Sequence, residues 1–361
     1  MPVINPKFWK DRRVLVTGHS GFKGSWLCLL LQRLGASIAG YSDLLRITDP
    51  CLFEAASVES GIQNYIGDVR DARGMLDVIQ YTQPEIIIHL AAQPLVSEGC
   101  KDPVGTFQTN VMGTVNLLEA ARQVDSVRVV LVVTTDKVYK NDGRLRAYNE
   151  DDPLGGVDPY AASKSCAEHV VVAYGCGELW AARGSFARLA TARAGNVIGG
   201  GDWALGRLVP DLVRARRTGT VLGLRYPQAV RPWQHVLDPL AGYLKLCENL
   251  WFDYSCEYER PWNFGPSDEG SCSVGELVRR FNLAWGDIGL TMGSDEHLVH
   301  EDLILRLDST NAQMLLNHTP QWNLEKSIKR TVEWYQAYYA GLQPMRDFTL
   351  SQIDQFLGNF L

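Results

Sequence analysis

Arg13-Val14-Leu15-Val16-Thr17-Gly18-His19-Ser20-Gly21-Phe22-Lys23-Gly24-Ser25-Trp26 is the stretch on which the fold turns. Its first five residues form a short β-branched run with apolar side chains facing both ways, the pattern of a strand covered on both faces. The glycines at 18, 21 and 24 then permit a tight turn. They let backbone N–H groups approach a pyrophosphate at the N-terminus of a helix expected over 23–34. A glycine triplet alone is weak evidence, because it also marks plain turns. Strand, loop and helix in this order make it a dinucleotide site with Gly18, His19, Gly21, Phe22, Lys23 and Gly24 against the cofactor.

Working outward, the same rhythm repeats. Strands are expected over 37–41, 63–66, 85–89 and 127–134, and helices over 71–81, 102–124 and 159–174. Asp71 and Asp102 stand as helix caps, the latter before a first-turn proline, Pro103. Buried strands alternating with helices predict an α/β fold, a Rossmann-type doubly wound parallel sheet. After the third strand, Asp68 of Gly67-Asp68-Val69 is placed to accept from an adenine amine, with Val69 beside it. After the fourth, Leu90, Ala91 and Ala92 give a small-residue wall for the cofactor. An acid at the end of the second strand would bind a ribose 2′-hydroxyl and an arginine a 2′-phosphate. The chain has Ser42, Asp43 and Arg46 there, which leans to NAD and leaves NADP open.

Past about Ala187 the rhythm changes. A strand over 191–198 runs into a glycine-rich loop, tryptophan and proline become frequent, and amphipathic stretches follow over 274–285 and 324–339. The expected organisation is a dinucleotide-binding domain over 1–190 and a smaller mixed α/β substrate lobe over 191–361, with a segment near 225–250 rejoining the first.

At 361 residues with 46% hydrophobic and 21% charged, the composition is that of an ordinary soluble protein. A net charge of −6 without basic runs argues against nucleic-acid and membrane partners. The first residues lack a secretory pattern, and the eight cysteines form no CxxC pair, so a cytoplasmic protein with reduced thiols is expected. His297, His300 and Glu301 lack the i,i+4 zinc spacing, and no metal is predicted.

Tyr160-Ala161-Ala162-Ser163-Lys164 opens a helix, and the four-residue spacing places phenol and ammonium on one face. The ammonium, with an oxidised nicotinamide, is expected to lower the phenol from ~10 towards neutrality and make it a base. YxxxK alone is common by chance. Thr135, at the carboxyl end of the fifth strand where open α/β sheets bind ligands, strengthens it by offering a hydroxyl to hold a substrate hydroxyl beside Tyr160.

These parts together resemble the extended short-chain dehydrogenase/reductase family. The resemblance implies that Asn110, which on its own reads as a solvated helix-face residue, supports the active-site backbone and a water relay. It also implies a homodimer, or a dimer of dimers, built from the helices over 102–124 and 159–174.

A narrower resemblance, carried by Gly18-His19-Ser20-Gly21-Phe22-Lys23-Gly24, Ala91-Ala92-Gln93-Pro94, Thr135-Asp136-Lys137-Val138-Tyr139 and Arg231-Pro232-Trp233-Gln234-His235-Val236, is to the CDP-glucose 4,6-dehydratases of that family. It implies oxidation at C4 with Tyr160 as base, loss of water across C5 and C6 with Asp136 as acid, and hydride return to C6. Lys137 takes the place of the usual C5 base, either neutral through burial or steadying the enolate while another group acts. A sugar-nucleotide 4-epimerase, or a dehydratase using another nucleotide, shares Tyr160 and Lys164, but an epimerase needs no acid at 136. A cofactor-bound sensor or scaffold without turnover is the non-enzymatic reading.

Gln93, Asn196, Trp203, Arg207, Arg231, Gln234 and His235 are the expected substrate contacts, with Trp233 the alternative to Trp203 as border to a base or sugar. The chain departs from the group at Ser97-Glu98-Gly99-Cys100-Lys101, at Arg144-Leu145-Arg146-Ala147 and at Gly206, each bordering the expected sugar pocket.

Overall fold

The structure, a computed structural model, describes residues 4–43, 48–175, 178–181, 187–267, 270–286, 292–294 and 303–358. Seven strands make one sheet: β1 (Arg13–Thr17), β2 (Ser37–Ser42), β3 (Gln63–Ile66), β4 (Ile86–His89), β5 (Val129–Val133), β6 (Arg188–Ala194) and β7 (Pro261–Phe264). Their order is β7-β6-β5-β4-β1-β2-β3, with every neighbour parallel. The expected Rossmann-type sheet is therefore present.

Period-two alternation sends each strand's side chains into two cores. Val14, Val16, Ile86, Ile88, Val129 and Leu131 enter one core, while Leu15, Ile87, Val130 and Val132 enter the other. The chain moves from β1 to β2 and β3 on one side, then crosses to β4 on the other. That reversal opens a crevice beyond the carboxyl ends of β1 and β4, the ligand position in such sheets.

Helices α1 (Phe22–Arg33), α2 (Ala72–Thr82) and α4 (Pro159–Gly175) begin close to the expected places, and α3 (Gly113–Ala121) lies between α2 and α4 in the chain. Asp71 caps α2, accepting from Arg73 N–H at 3.0 Å. The single helix expected over 102–124 is broken, however. Asp102 caps a short helix, Pro103–Phe107, which passes through a π-turn, Gln108–Met112, into α3. A π-turn admits one extra residue per turn and re-aims the side chains within it. Here it turns Asn110 inward, leaving it 1% exposed.

The strand expected over 191–198 is divided: β6 ends at Ala194, and Val197–Ile198 pairs instead with Gln234–His235. The second half also adds α5 (Leu208–Thr218), α6 (Leu237–Trp251), α7 (Val274–Trp285), α8 (Leu324–Ala340) and α9 (Met345–Leu357). Helix α6 packs against β5 and β6, and β7 closes the sheet beside β6. Among the described residues no helix is long and apolar enough to cross a membrane.

Candidate active site

The loop between β1 and α1 is packed so closely that two of its glycines admit no side chain. Gly18 has φ +72°, and a Cβ there would stand 2.6 Å from the Ala91 nitrogen. A Cβ on Gly24 would stand 2.1 Å from the Gly18 carbonyl oxygen. The loop, the β4 exit and the α1 N-terminus thus form one close-fitting cradle, which suits a pyrophosphate. His19, expected at the cofactor, turns its ring away. The ring is 1% exposed, bonds Asn64 Oδ1 at 2.8 Å and lies edge-on to Phe53. Gly40 makes room for it, since a Cβ there would meet the imidazole at 2.4 Å. The His19 ring thus packs behind the loop, and its backbone is the part that borders the cradle.

Asp68 is gripped by the Arg70 guanidinium, which holds its carboxyl below the usual range. Val69 packs under Gly113. Ser42 ends β2 with its hydroxyl 3.5 Å from the Ser20 N–H, so a serine stands where a ribose-binding acid was sought. Arg46 lies outside the described residues, as do His297, His300 and Glu301. Among the described residues no group of side chains has the makings of a metal site.

At the carboxyl end of β5 the chain makes a 3₁₀ turn, Asp136–Val138, capped by Thr135, whose hydroxyl accepts from Lys137 N–H at 3.3 Å. Asp136 is 4% exposed. Its Oδ1 accepts from the Thr135 hydroxyl at 3.1 Å, while Oδ2 is buried without a partner among the described residues. Gly195 permits this, because a Cβ there would come within 3.1 Å of Oδ2. Burial pushes the Asp136 carboxyl up, against the opposing pull of Lys137, Thr135, Arg231 and Lys23. Lys137 stays half-buried on the same turn.

Tyr160 stands in the first turn of α4. Burial raises its phenol, with Asp136 adding to the rise and Thr135 and Arg207 opposing it. The expected lowering belongs to the phenol beside an oxidised nicotinamide, and burial is what that charge would have to oppose. Lys164 is 6% exposed and donates to the Val133 carbonyl at 3.0 Å, on the strand rather than the phenol. Burial and then Lys23 bring Lys164 down to about 8. Lys23, set between Arg207 and Asp136, is itself brought down to about 8, chiefly by burial.

Asn110 is not a solvated residue. It accepts from Gln93 N–H at 2.8 Å and donates to the Gln93 carbonyl at 3.1 Å and the Ser163 hydroxyl at 2.9 Å. It therefore ties the β4 exit to α4. The side chain of Gln93 is used within its own loop, accepting from Leu95 N–H at 2.6 Å and donating to Thr106 at 2.9 Å. Those bonds shape the loop that follows β4.

Two arginines of the second half converge on the centre. Arg207 pairs with Asp202 at 2.9 Å and lies within electrostatic reach of Tyr160, and Arg231 lies within reach of Asp136. Asn196 is half-buried, its carbonyl accepting at 3.1 Å from the N–H of Gln234, three residues after Arg231. The other expected contacts point into the core. Gln234 is 2% exposed and donates to the Phe264 carbonyl at 2.7 Å. His235 is 0% exposed between Trp26 and Trp322. Trp203 joins Trp334, Tyr335 and Tyr338, and Trp233 donates to the Cys272 carbonyl at 3.2 Å. Of the departures from the group, Gly99 backs onto Tyr160 N, and Arg144 and Arg146 are bound to Asp152.

Two residues went unread. Tyr243, on α6, brings a fully buried hydroxyl without a partner among the described residues into the field of Tyr160 and Asp136. Glu168, four residues after Lys164, carries a signal in that spacing alone.

With the geometry in place, the likeness to known proteins is specific. The family described as GDP-mannose 4,6 dehydratase matches residues 15–331. A CDP-glucose 4,6-dehydratase of Salmonella typhimurium is 41% identical over 349 residues, covering 94% of each chain. A dTDP-glucose 4,6-dehydratase of Streptomyces venezuelae, solved with NAD, superposes with TM-score 0.78 at 24% identity, over 92% of this chain and 99% of that one. A UDP-glucose 4-epimerase of Thermotoga maritima, solved with UDP-glucose, reaches 0.75 at 21%, over 91% and 99%. The two solved structures share the fold and differ in reaction, so the fold does not choose between dehydration and epimerisation.

Proposed function

The chain belongs to the GDP-mannose 4,6 dehydratase family, of the extended short-chain dehydrogenase/reductases, and from that premise we propose that it is an NAD-dependent sugar-nucleotide 4,6-dehydratase acting on CDP-glucose. The observation that carries this reading is Asp136: a buried carboxyl whose proton burial holds more tightly than an ordinary carboxylate's, one residue from Thr135 and in the field of Tyr160. Moving a proton to a leaving hydroxyl requires such an acid, and epimerisation does not.

Gly18, Gly21 and Gly24 with Ala91 hold the dinucleotide, and Asp68 meets its adenine. NAD, when bound there, would supply the hydride acceptor for C4 and the hydride donor for C6. Thr135 holds the 4-hydroxyl beside Tyr160, and Tyr160 removes its proton. Lys164, anchored on the Val133 carbonyl, supplies positive charge beneath the reacting face. The phenol is raised by burial and further by Asp136, so its conversion to a base depends on opposing positive charge, from Arg207 and from the oxidised cofactor, with Lys164 one turn along α4. Once C4 is a ketone the C5 proton is acidic. Lys137 serves that step, as the base that takes the C5 proton or as the cation that steadies the enolate while another group takes it, and Asp136 gives its proton to the C6 oxygen as water leaves. Arg207 and Arg231 face the diphosphate, with Asn196 beside them.

We also propose a cytoplasmic homodimer, or dimer of dimers. Val104, Phe107 and Met112 are 68%, 37% and 49% exposed on the helices before α3, and Cys166 is exposed on α4, an apolar face that a second copy would cover in a four-helix seam.

The test is mass spectrometry of the purified protein with CDP-, dTDP-, UDP- and GDP-glucose and NAD or NADP. Loss of one water from CDP-glucose alone is expected. Conversion without change of mass would mean an epimerase, and water loss from another nucleotide would reassign the substrate.

A further inference from the structure

The side of α4 that carries Lys164 also carries Glu168, one turn later. Its carboxylate is 2% exposed and accepts from four donors. These are the hydroxyls of Thr134 at 2.5 Å and Thr191 at 2.6 Å, and two nitrogens of Arg193, both at 3.0 Å. Thr134 directly precedes Thr135, and Thr191 is the register partner of Val132 across β5 and β6. Arg193, also 2% exposed, donates onward to the Tyr139 hydroxyl at 2.8 Å, which donates to Asn263 Oδ1 at 2.7 Å. The amide of Asn263 in turn binds the carbonyls of Tyr148 and Asp308. One unbroken polar chain therefore runs from the catalytic helix, under the turn that holds Thr135 and Asp136, to loops of the second half.

Stability does not account for this arrangement. A buried ion pair is commonly matched or bettered by apolar side chains of the same volume. Its location does account for it. Around Lys164, Lys23 from α1 opposes the ammonium and Glu168 supports it. His89, at the end of β4, is buried between Thr17 and Thr114 and pushed down to about 3, so it is neutral. The groups facing Glu168 itself are Arg193 from β6 and the hydroxyls of β5 and β6.

We propose that Glu168 is a positioning residue of the reaction: its carboxylate clamps the ends of β5 and β6 beneath Thr135 and supplies the negative charge that offsets Lys23 at Lys164, and Arg193 extends the clamp to Tyr139 and Asn263. The proposal rests on the roles given above to Tyr160 and Lys164.

Glu168→Gln keeps the shape and removes the charge. It is expected to lower kcat by about 10- to 100-fold, the scale of a small misplacement of reacting groups, with KM little changed. The alkaline limb of its kcat profile should move to lower pH by about one unit, because the ammonium loses its nearest anion. Glu168→Asp keeps the charge but retracts it from Thr134 and Thr191, so kcat should fall with the limb in place. Glu168→Gln/Arg193→Met removes both buried charges and should show the same shifted limb as the single variant. A Glu168→Gln or double-variant limb at the wild-type pH overturns the proposal. If neither charge-removing protein folds, Glu168→Asp decides alone, and wild-type kcat in it overturns the proposal. Failure of the underlying reading is seen separately: Tyr160→Phe would then turn over at the wild-type rate.

Discussion

Replacing Asp136 with asparagine isolates the one step that distinguishes dehydration from epimerisation. Asparagine has the same shape and can still accept from the Thr135 hydroxyl, but it has no acidic proton to give. Loss of a general acid slows its step by ~10²–10⁴-fold, about 2.7–5.4 kcal/mol on the barrier. Oxidation at C4 depends on Tyr160, Thr135 and Lys164 and should survive. Quenched mixtures should therefore contain the 4-keto sugar nucleotide, lighter than substrate by two hydrogens and still carrying its C6 oxygen. In heavy water that species should take up deuterium at C5.

The same burial supplies a control against simple unfolding. Asp136 is raised above its ordinary 3.8, so the folded state binds its proton more tightly than the unfolded chain does. Wild-type stability therefore falls as pH rises through that interval, by about 1.4 kcal/mol for each unit of elevation. Asparagine has no such slope, and the variant should be at least as stable as wild type at neutral pH. Product at the wild-type rate, or absence of the C4 ketone in a variant whose thermal unfolding is unimpaired, would refute the assignment.

Tyr160→Phe should abolish turnover by ~10²–10⁴-fold while substrate and cofactor still bind, as read by calorimetry, and more than about a tenth of wild-type kcat would remove Tyr160 from the mechanism. Asp238 is buried with one oxygen unpaired and is pushed from 3.8 up to about 7 by burial, so its contribution to stability falls as pH rises from about 4 to about 7. The stability gained by Asp238→Asn should accordingly grow between those limits by up to about 4 kcal/mol, measured as the difference in denaturation midpoints, and a pH-independent difference would contradict it. Met112→Glu, on the exposed apolar face, should convert a dimer to monomer in sedimentation at micromolar concentration, and a monomeric wild type would refute the interface.

What was legible in the sequence was what backbone periodicity and topology determine. Strands β1, β4 and β5 are apolar on both faces and announce a buried parallel sheet, and the parts placed at their carboxyl ends follow from that. Gly18, Gly24, Thr135 and Asp136 sit at strand exits or in the first turn of a helix that begins there, and Tyr160 and Lys164 lie in the first two turns of α4. The break in the helix before α3 was not legible. A π-turn inserts one residue without glycine or proline at its centre, so 108–112 reads as uninterrupted helix while Asn110 rotates to the inside.

The second half fails for a different reason, and Gln234 and His235 show it. Polar residues beside Arg231 in a loop near a ligand invite a binding role, because a polar side chain in the core is normally the exception. Here the exceptions are satisfied by partners far away in sequence: the Phe264 carbonyl takes the Gln234 amide, and Trp26 and Trp322 enclose the His235 ring. Nothing local to 231–236 encodes those partners, which exist only once β7, α1 and the segment before α8 have come together. The electrostatics obey the same rule. Tyr160 and Lys164 four residues apart suggest a lowered phenol, yet the ammonium is drawn to the Val133 carbonyl, and burial, the largest influence on the phenol, raises it. Spacing along a helix therefore identifies which groups share a face, whereas their protonation is decided by the walls that other elements build around them, and Glu168 is one such wall.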